Sequence, residues 1–222
     1  MIAKPIAPET AASHDTVIYD FPTHVSEEEY LRVWAEQGYE WVNGEMNKVS
    51  AGNLTHYGVV DYLNTLLKIY LELNPIGSLV GEPIILKFAE TGRYREPDLM
   101  VVLKANSVGV LTHTAVIGAA DICIEVVSPE SVERDYATKL LEYEKAGVQE
   151  YWIIDPDRER AIFNQRDTDG HFSMIQPDAE ARYRTPLLPG FFLSVPVLWT
   201  DPLPRMIDTV EVVRAMFPDT PL

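Results

Sequence analysis

The sequence predicts an α+β domain with a mixed sheet built around one strand–helix–strand crossover, α/β/α-like in its layering. Three observations carry this. Residues 121–155 read as two apolar runs, Ile122–Val127 and Tyr151–Ile154, joined by a helical stretch that Gly147 ends. Two parallel strands need such a crossover, and its hand is right. Asn43-Gly44 between short strand-like runs is a strong hairpin signal. Finally, Val59, Val60, Leu63, Leu66, Leu67, Tyr70 and Leu71 recur at helical spacing, so residues 55–73 form a helix with one face on the sheet.

Taken in order, residues 1–22 carry prolines and no clear period, which makes them an N-terminal arm, and residues 23–222 a single domain. Ser26 caps a helix running to about Glu36, with Glu29 completing a capping box and Gly38 ending it. Tyr39–Val42 and Met46–Val49 are the hairpin strands. After a turn over residues 50–53 and the long helix, Val80–Phe88 reads as a strand with Glu82-Pro83 early in it. Thr91-Gly92 turns the chain into a strand over Pro97–Leu103, and residues 104–120 read as a loop with a short helix. Beyond the crossover, Asp169-Gly170 closes a second hairpin between Ala161–Gln165 and His171–Ile175. Phe191–Val195 is a last strand, and a helix follows from about Pro204 to Met216.

With 222 residues, 46% hydrophobic and 23% charged, the chain suits one folded domain with a substantial core. No run approaches the roughly 20 apolar residues of a membrane helix, and no secretory signal pattern opens the chain. Cys123 is the one cysteine, which excludes an internal disulfide and a cysteine-rich zinc site and fits a cytoplasmic setting. The net charge of −16 argues against a general nucleic-acid coat, because non-specific binding neutralises phosphates with Lys and Arg. It leaves open a nuclease that manages phosphate charge with divalent cations.

The chemistry resides in acids placed where strands are otherwise apolar: Asp98 in PDLMVVL and Glu125 in ICIEVV. By alternation Asp98 shares a face with Met100 and Val102, and Glu125 with Cys123 and Val127. A buried carboxylate must be paired, protonated or bound to a metal. If the two strands adjoin, the acids converge into an oxygen-rich site suited to Mg²⁺ or Mn²⁺. Either acid alone reads equally well as a turn cap or a solvent-facing residue.

Asp135, Lys139 and Tyr143 lie on one stripe of the crossover helix, Asp135 as its N-cap. Lys139 is either a solvated partner of Asp135 or a lysine reaching back over the strand of Glu125, able to orient water or stabilise phosphoryl charge. Glu45, beside the first hairpin turn, is a third acid or a surface glutamate. His56 is a polar residue at a helix start or an accessory to the site, and Asp155 is a strand-end turn residue. Trp34 and Trp41 are candidate exposed aromatics.

These segments together resemble the Uma2 family, also called DUF820, whose fold is the PD-(D/E)XK restriction-endonuclease-like one. The resemblance is carried by Asn43-Gly44-Glu45, His56, Arg95-Glu96-Pro97-Asp98, Ile124-Glu125-Val126-Val127-Ser128-Pro129, Arg134-Asp135, Lys139, Tyr143, Gly147-Val148, Glu150-Tyr151-Trp152, Asp155-Pro156 and Leu188-Pro189-Gly190. It implies a Mg²⁺-dependent endonuclease acting on DNA, with Asp98 and Glu125 as metal ligands and catalytic acids and Glu45 as an additional acid. Val127 stands where the motif lysine is expected, and the resemblance implies that Lys139 replaces it. A symmetric homodimer suits cleavage of both strands. Two other classes compete: an inactive interaction module retaining the fold, and a carboxylate-pair hydrolase such as a glycosidase.

Overall fold

The structure, a computed structural model, describes residues 22–35, 37–48, 53–89, 92–106 and 108–218. The expected arm therefore lies outside the described residues up to residue 21, as do residues 49–52 of the turn before the long helix.

Ser26 is extended and its hydroxyl accepts from the Glu29 amide at 3.2 Å, which starts α1 (Glu27–Glu29) and the π-helical turn Tyr30–Trp34 behind it. Strands β1 (Tyr39–Val42) and β2 (Glu45–Lys48) pair antiparallel across Asn43 and Gly44. Both of those residues have positive φ, 51° and 96°, as a two-residue hairpin turn of this hand demands. Asn53 caps α2 (Leu54–Leu73) by accepting from the His56 amide at 2.8 Å.

The strand expected over 80–88 is two strands. β3 (Gly77–Gly81) and β4 (Ile85–Lys87) lie in different sheets, and the chain passes between them at Glu82-Pro83. Proline has no amide to give a ladder, so the first sheet cannot continue through it. β5 (Arg93–Arg95) was not foreseen, because Arg-Tyr-Arg is too short and polar to show a period. β6 (Leu99–Leu103) follows as expected. Residues 104–120 hold no helix among the described residues; they hold β7 (Val110–Leu111) and β8 (Ala115–Ile117), the latter paired in parallel with β4.

The crossover forms as read. β9 (Ile122–Val126) and β10 (Glu150–Asp155) are parallel, joined through a π-helical turn (Arg134–Thr138) that runs into α3 (Lys139–Ala146). Gly147 ends α3 at φ 94°, where its amide reaches the carbonyls of Tyr143 and Glu144. β11 (Arg160–Arg166) and β12 (Phe172–Ile175) make the second hairpin. β13 (Arg182–Tyr183) pairs with β14 (Leu193–Ser194), a shorter last strand than expected, and α4 (Met206–Arg214) closes the described chain.

The main sheet runs β12-β11-β10-β9-β6-β3, antiparallel apart from the central β9–β10 pair. Alternation along its strands builds two cores. Leu99, Val101, Ile122, Ile124 and Trp152 face α2, whose Leu63, Leu66 and Leu67 are almost fully buried. Each such leucine contributes about 1.5–3 kcal/mol by leaving water. Met100, Val102, Cys123, Tyr151 and Ile153 face the other way, towards α3 and a second sheet of order β2-β1-β5-β4-β8-β7. That second sheet is the part of the α+β architecture the sequence did not announce. Its aromatic centre holds Tyr30, Tyr39, Trp41 and Tyr94. Trp41, expected to be exposed, is buried there and donates its indole N–H to the Val25 carbonyl at 2.9 Å.

Candidate functional site

Strands β6 and β9 are antiparallel neighbours with Leu99 opposite Ile124, so Asp98, just before β6, comes level with Glu125. Both acids line one open cleft of about 660 Å³, whose wall on one side is the start of α2 and on the other the entry to α3. Asp98 Oδ2 accepts from the Val126 amide at 2.6 Å, and Oδ1 lies 3.3 Å from His56 Nε2. Glu125 Oε1 accepts from the Tyr143 hydroxyl at 2.7 Å and pairs with Lys139 Nζ at 2.8 Å.

The parallel crossover sets the lysine's position. Because α3 leaves from the C-terminal end of β9 and packs back on the sheet, its first turns overhang the end of the strand that carries Glu125. The π-helical turn widens the backbone there, and the Tyr151 hydroxyl, rising from β10, donates to the Asp135 carbonyl at 2.9 Å. Asp135 is consequently not the N-cap: it lies inside the π-helical turn, buried, with Oδ1 at 3.2 Å from Lys139 Nζ. Lys139 itself is buried, whereas the plainer reading of its sequence position had it solvated.

Of the expected residues, Asp98, Glu125, Lys139, His56 and Asp135 line the cleft together, and Glu45 does not. Glu45 begins β2, the edge strand of the second sheet, where its side chain is 65% exposed and 3.6 Å from His24. The acid that the hairpin does send inwards is Glu40. Its carboxylate is buried, 2.6 Å from Arg95 Nη1 and 3.4 Å from Lys139 Nζ. Arg95 continues to Glu142 on α3 at 2.7 Å, so the buried Arg95–Glu142 and Glu40–Lys139 pairs tie the second sheet to the helix that presents the lysine. Glu40 was legible only as an acid alternating with Tyr39 and Trp41, a pattern that reads as a solvent-facing side. Glu82 and Glu96 also line the cleft. In the sequence each precedes a proline and looks like turn chemistry.

Acid outnumbers base in this cluster. Burial opposes charge on Glu40, yet Lys139, Arg95 and Arg134 outweigh it and hold its carboxyl down at about 2. Burial pushes Glu125 up to about 8; Lys139 pulls it back, and Asp135, Asp98 and Glu40 push with burial. Glu96 also rises to about 8, through burial and the nearby charges of Glu82 and Glu40. Burial disfavours the Lys139 ammonium, but Glu125, Glu40 and Asp135 together hold it charged. Of the two acids that share Lys139 in this way, Glu125 thus holds its proton the more readily and Glu40 stays ionised. For His56 burial works against the proton and Asp98 outweighs it, so its pKa is raised.

Glu96 Oε1, Ser128 Oγ and Arg134 Nε are buried polar atoms without a hydrogen-bond partner, and all three residues line the cleft. Such atoms are rare in folded proteins and gather where a ligand or ion completes the structure. Hard carboxylate oxygens and surplus acid fit a hard divalent cation. Among the described residues no three His, Cys, Asp or Glu side chains form a ready cage. Mg²⁺ is commonly held by one or two carboxylates with water and substrate phosphate, and the cleft offers carboxylates from adjoining strands in Asp98 and Glu125.

Among solved structures, one from Anabaena variabilis ATCC 29413, described as "a putative nuclease belonging to DUF820", superimposes with a TM-score of 0.64 at 18% identity, covering 79% of this chain and 97% of that one. No curated protein matches the sequence. No described helix is long and apolar enough to cross a membrane. The model of the Uma2 family, described as "Putative restriction endonuclease", matches residues 27–196, which takes in both hairpins, the crossover and every residue lining the cleft. The chain thus belongs to the Uma2 family.

Proposed function

We propose that the protein is a metal-dependent endonuclease that hydrolyses phosphodiester bonds of DNA. The observation that carries this reading is the meeting, in one cleft, of two acids from adjoining strands and a buried lysine from the crossover helix. Family membership and the fold of the Anabaena protein support it.

Asp98 and Glu125 would hold Mg²⁺ or Mn²⁺, which when bound polarises a phosphoryl oxygen and lowers the pKa of a bound water. The protein's own groups do the rest. The Val126 amide fixes the Asp98 carboxylate from one side and His56 from the other, so that it presents in a single orientation. Tyr143 and Lys139 do the same for Glu125 Oε1, leaving Oε2 for the cleft. Lys139 Nζ, kept charged, stands where it can orient a water or stabilise charge growing on a phosphoryl oxygen. His56 Nε2 holds a proton towards Asp98 Oδ1.

Incubating the protein with supercoiled plasmid and Mn²⁺ or Mg²⁺ tests the proposal. Nicking or linearisation that disappears in Asp98→Ala supports it; equal traces for the two proteins across several DNA forms would reject it. A second reading, an inactive interaction module, is favoured by the engagement of Lys139 with Glu40, Glu125 and Asp135 at once. It predicts calorimetric Mn²⁺ titrations that do not change in Glu125→Gln.

A further inference from the structure

Helix α2 has two faces of different character. Its core face buries Val59, Tyr62, Leu63 and Leu66. A second stripe, Tyr57, Asp61 and Asn64 at i, i+4 and i+7, faces the cleft and forms its wall. On that stripe Tyr57 is 68% exposed, one residue from the His56 that touches Asp98. Leu54, one turn earlier on the helix, is 89% exposed. Tyr57 thus presents a ring face at the mouth of the cleft, carried on a helix backbone.

The charge of the cleft says what kind of contact such a ring could add. Its lining carboxylates outnumber Arg134 and Lys139, and Lys139 is already committed to three acids. The whole chain carries −16. A nucleic acid held here gains little from phosphate neutralisation, the source of most backbone affinity. Contact with the faces of bases does not depend on charge, and every base has a face.

We propose that Tyr57 is a stacking platform for a nucleobase beside the scissile phosphate, and that the substrate is a strand with unpaired bases, since a duplex hides base faces inside its stack. This rests on the phosphodiesterase reading above. It assigns Tyr57 to substrate binding and leaves the bond-breaking groups as they are.

The test uses the full chain and a single-stranded oligodeoxynucleotide carrying 2-aminopurine, free or annealed to its complement, followed by fluorescence quenching and anisotropy. Stacking on an aromatic is worth about 1–3 kcal/mol per base, which is about 5- to 150-fold in affinity. The single strand binds at least about tenfold tighter than the duplex, with quenching of one 2-aminopurine position. Tyr57→Ala weakens single-strand binding within that range and abolishes the quench, while Tyr57→Phe and Tyr57→Trp retain both. In cleavage assays Tyr57→Ala raises KM and leaves kcat nearly unchanged. Equal affinity for both forms, unchanged binding by Tyr57→Ala, or no binding of either oligonucleotide overturns the proposal. Cleavage with a normal KM in Tyr57→Ala sinks the stacking role and keeps the nuclease, whereas Tyr57-dependent binding with no cleavage in any metal does the opposite.

Discussion

Glu150 and Glu125 sit at opposite ends of the central parallel strand pair, both almost fully buried, and they are opposite kinds of acid. Glu150 is met by three neutral donors: the Trp152 indole at 2.9 Å, the Tyr183 hydroxyl at 2.8 Å and the Thr185 hydroxyl. Burial pushes its carboxyl up and those donors draw it back. Glu150 does not line the cleft. Glu125 instead shares a lysine with two other acids beside a cleft where Glu96 has an unpartnered oxygen. A buried acid is therefore not in itself a sign of chemistry. What separates the two is whether the surrounding donors close the account within the fold or leave surplus acid open to a ligand.

The largest expected effect breaks this contrast by activity. Glu125→Gln or Lys139→Met lowers plasmid cleavage by about 10²–10³-fold or more, the scale of removing one electrostatic stabiliser from a preorganised site. Glu150→Gln leaves the rate within a few-fold. Nicking time courses at matched folded protein concentration check it, and a comparable loss in Glu150→Gln would remove the distinction.

Stability inverts the ranking. Glu150→Ala strands buried donors on Trp152, Tyr183 and Thr185 and costs about 2–5 kcal/mol. Glu96→Gln removes an acid that burial and its acidic neighbours already penalise, so it is neutral or stabilising. Urea unfolding followed by tryptophan fluorescence separates the two. A loss in Glu96→Gln as large as that in Glu150→Ala would mean that the cleft acid is satisfied after all.

Acidity sharpens the comparison further. Glu96 and Glu125 have folded pKa values of about 8, above the unfolded carboxyl value of about 4.3. The folded state thus binds these protons more tightly. The stability they contribute is present at low pH and is lost as pH rises from about 4 through about 8. The melting temperature of the apoprotein accordingly falls between pH 6 and 8.5, and Glu96→Gln flattens that fall. Because a divalent cation competes with the same protons, Mn²⁺ raises the melting temperature more at pH 8 than at pH 6. A Mn²⁺ shift that grows towards acid would contradict the carboxylate assignment.

What was readable in the sequence follows from how each feature is encoded. Asn43-Gly44 announced its turn because only residues tolerant of positive φ close a two-residue hairpin. The crossover was legible because two apolar runs and a glycine-ended helix admit one chain path. Asp98 and Glu125 stood out as acids among aliphatic residues. The second sheet was hidden, since strands of two or three residues such as β5, β7 and β8 carry no measurable period and exist only through their partners. Glu40 was hidden for a related reason: alternation marks two faces but not which face a second layer covers, so the outward-looking acid turned out to be Glu45. Asp135 looked like a cap because it opens a helical pattern, and only the π-helical turn, held by Tyr151, turns it towards Lys139.

The smallest effect concerns salt. A basic nuclease loses about 10³–10⁵ in affinity between 50 and 200 mM salt when it neutralises 6–10 phosphates. Here Lys139 is committed to three carboxylates, and Arg134 Nε stands 3.9 Å from Glu40 without a hydrogen bond. One or two phosphates at most would be neutralised, so affinity for a single strand falls by no more than about tenfold over that range. Screening of the −16 net charge acts the other way and shallows the slope further. Anisotropy titrations across that range, at fixed divalent cation, read the slope directly. A steep slope would place a basic phosphate track on this molecule and move the basis of recognition away from the bases and the cleft.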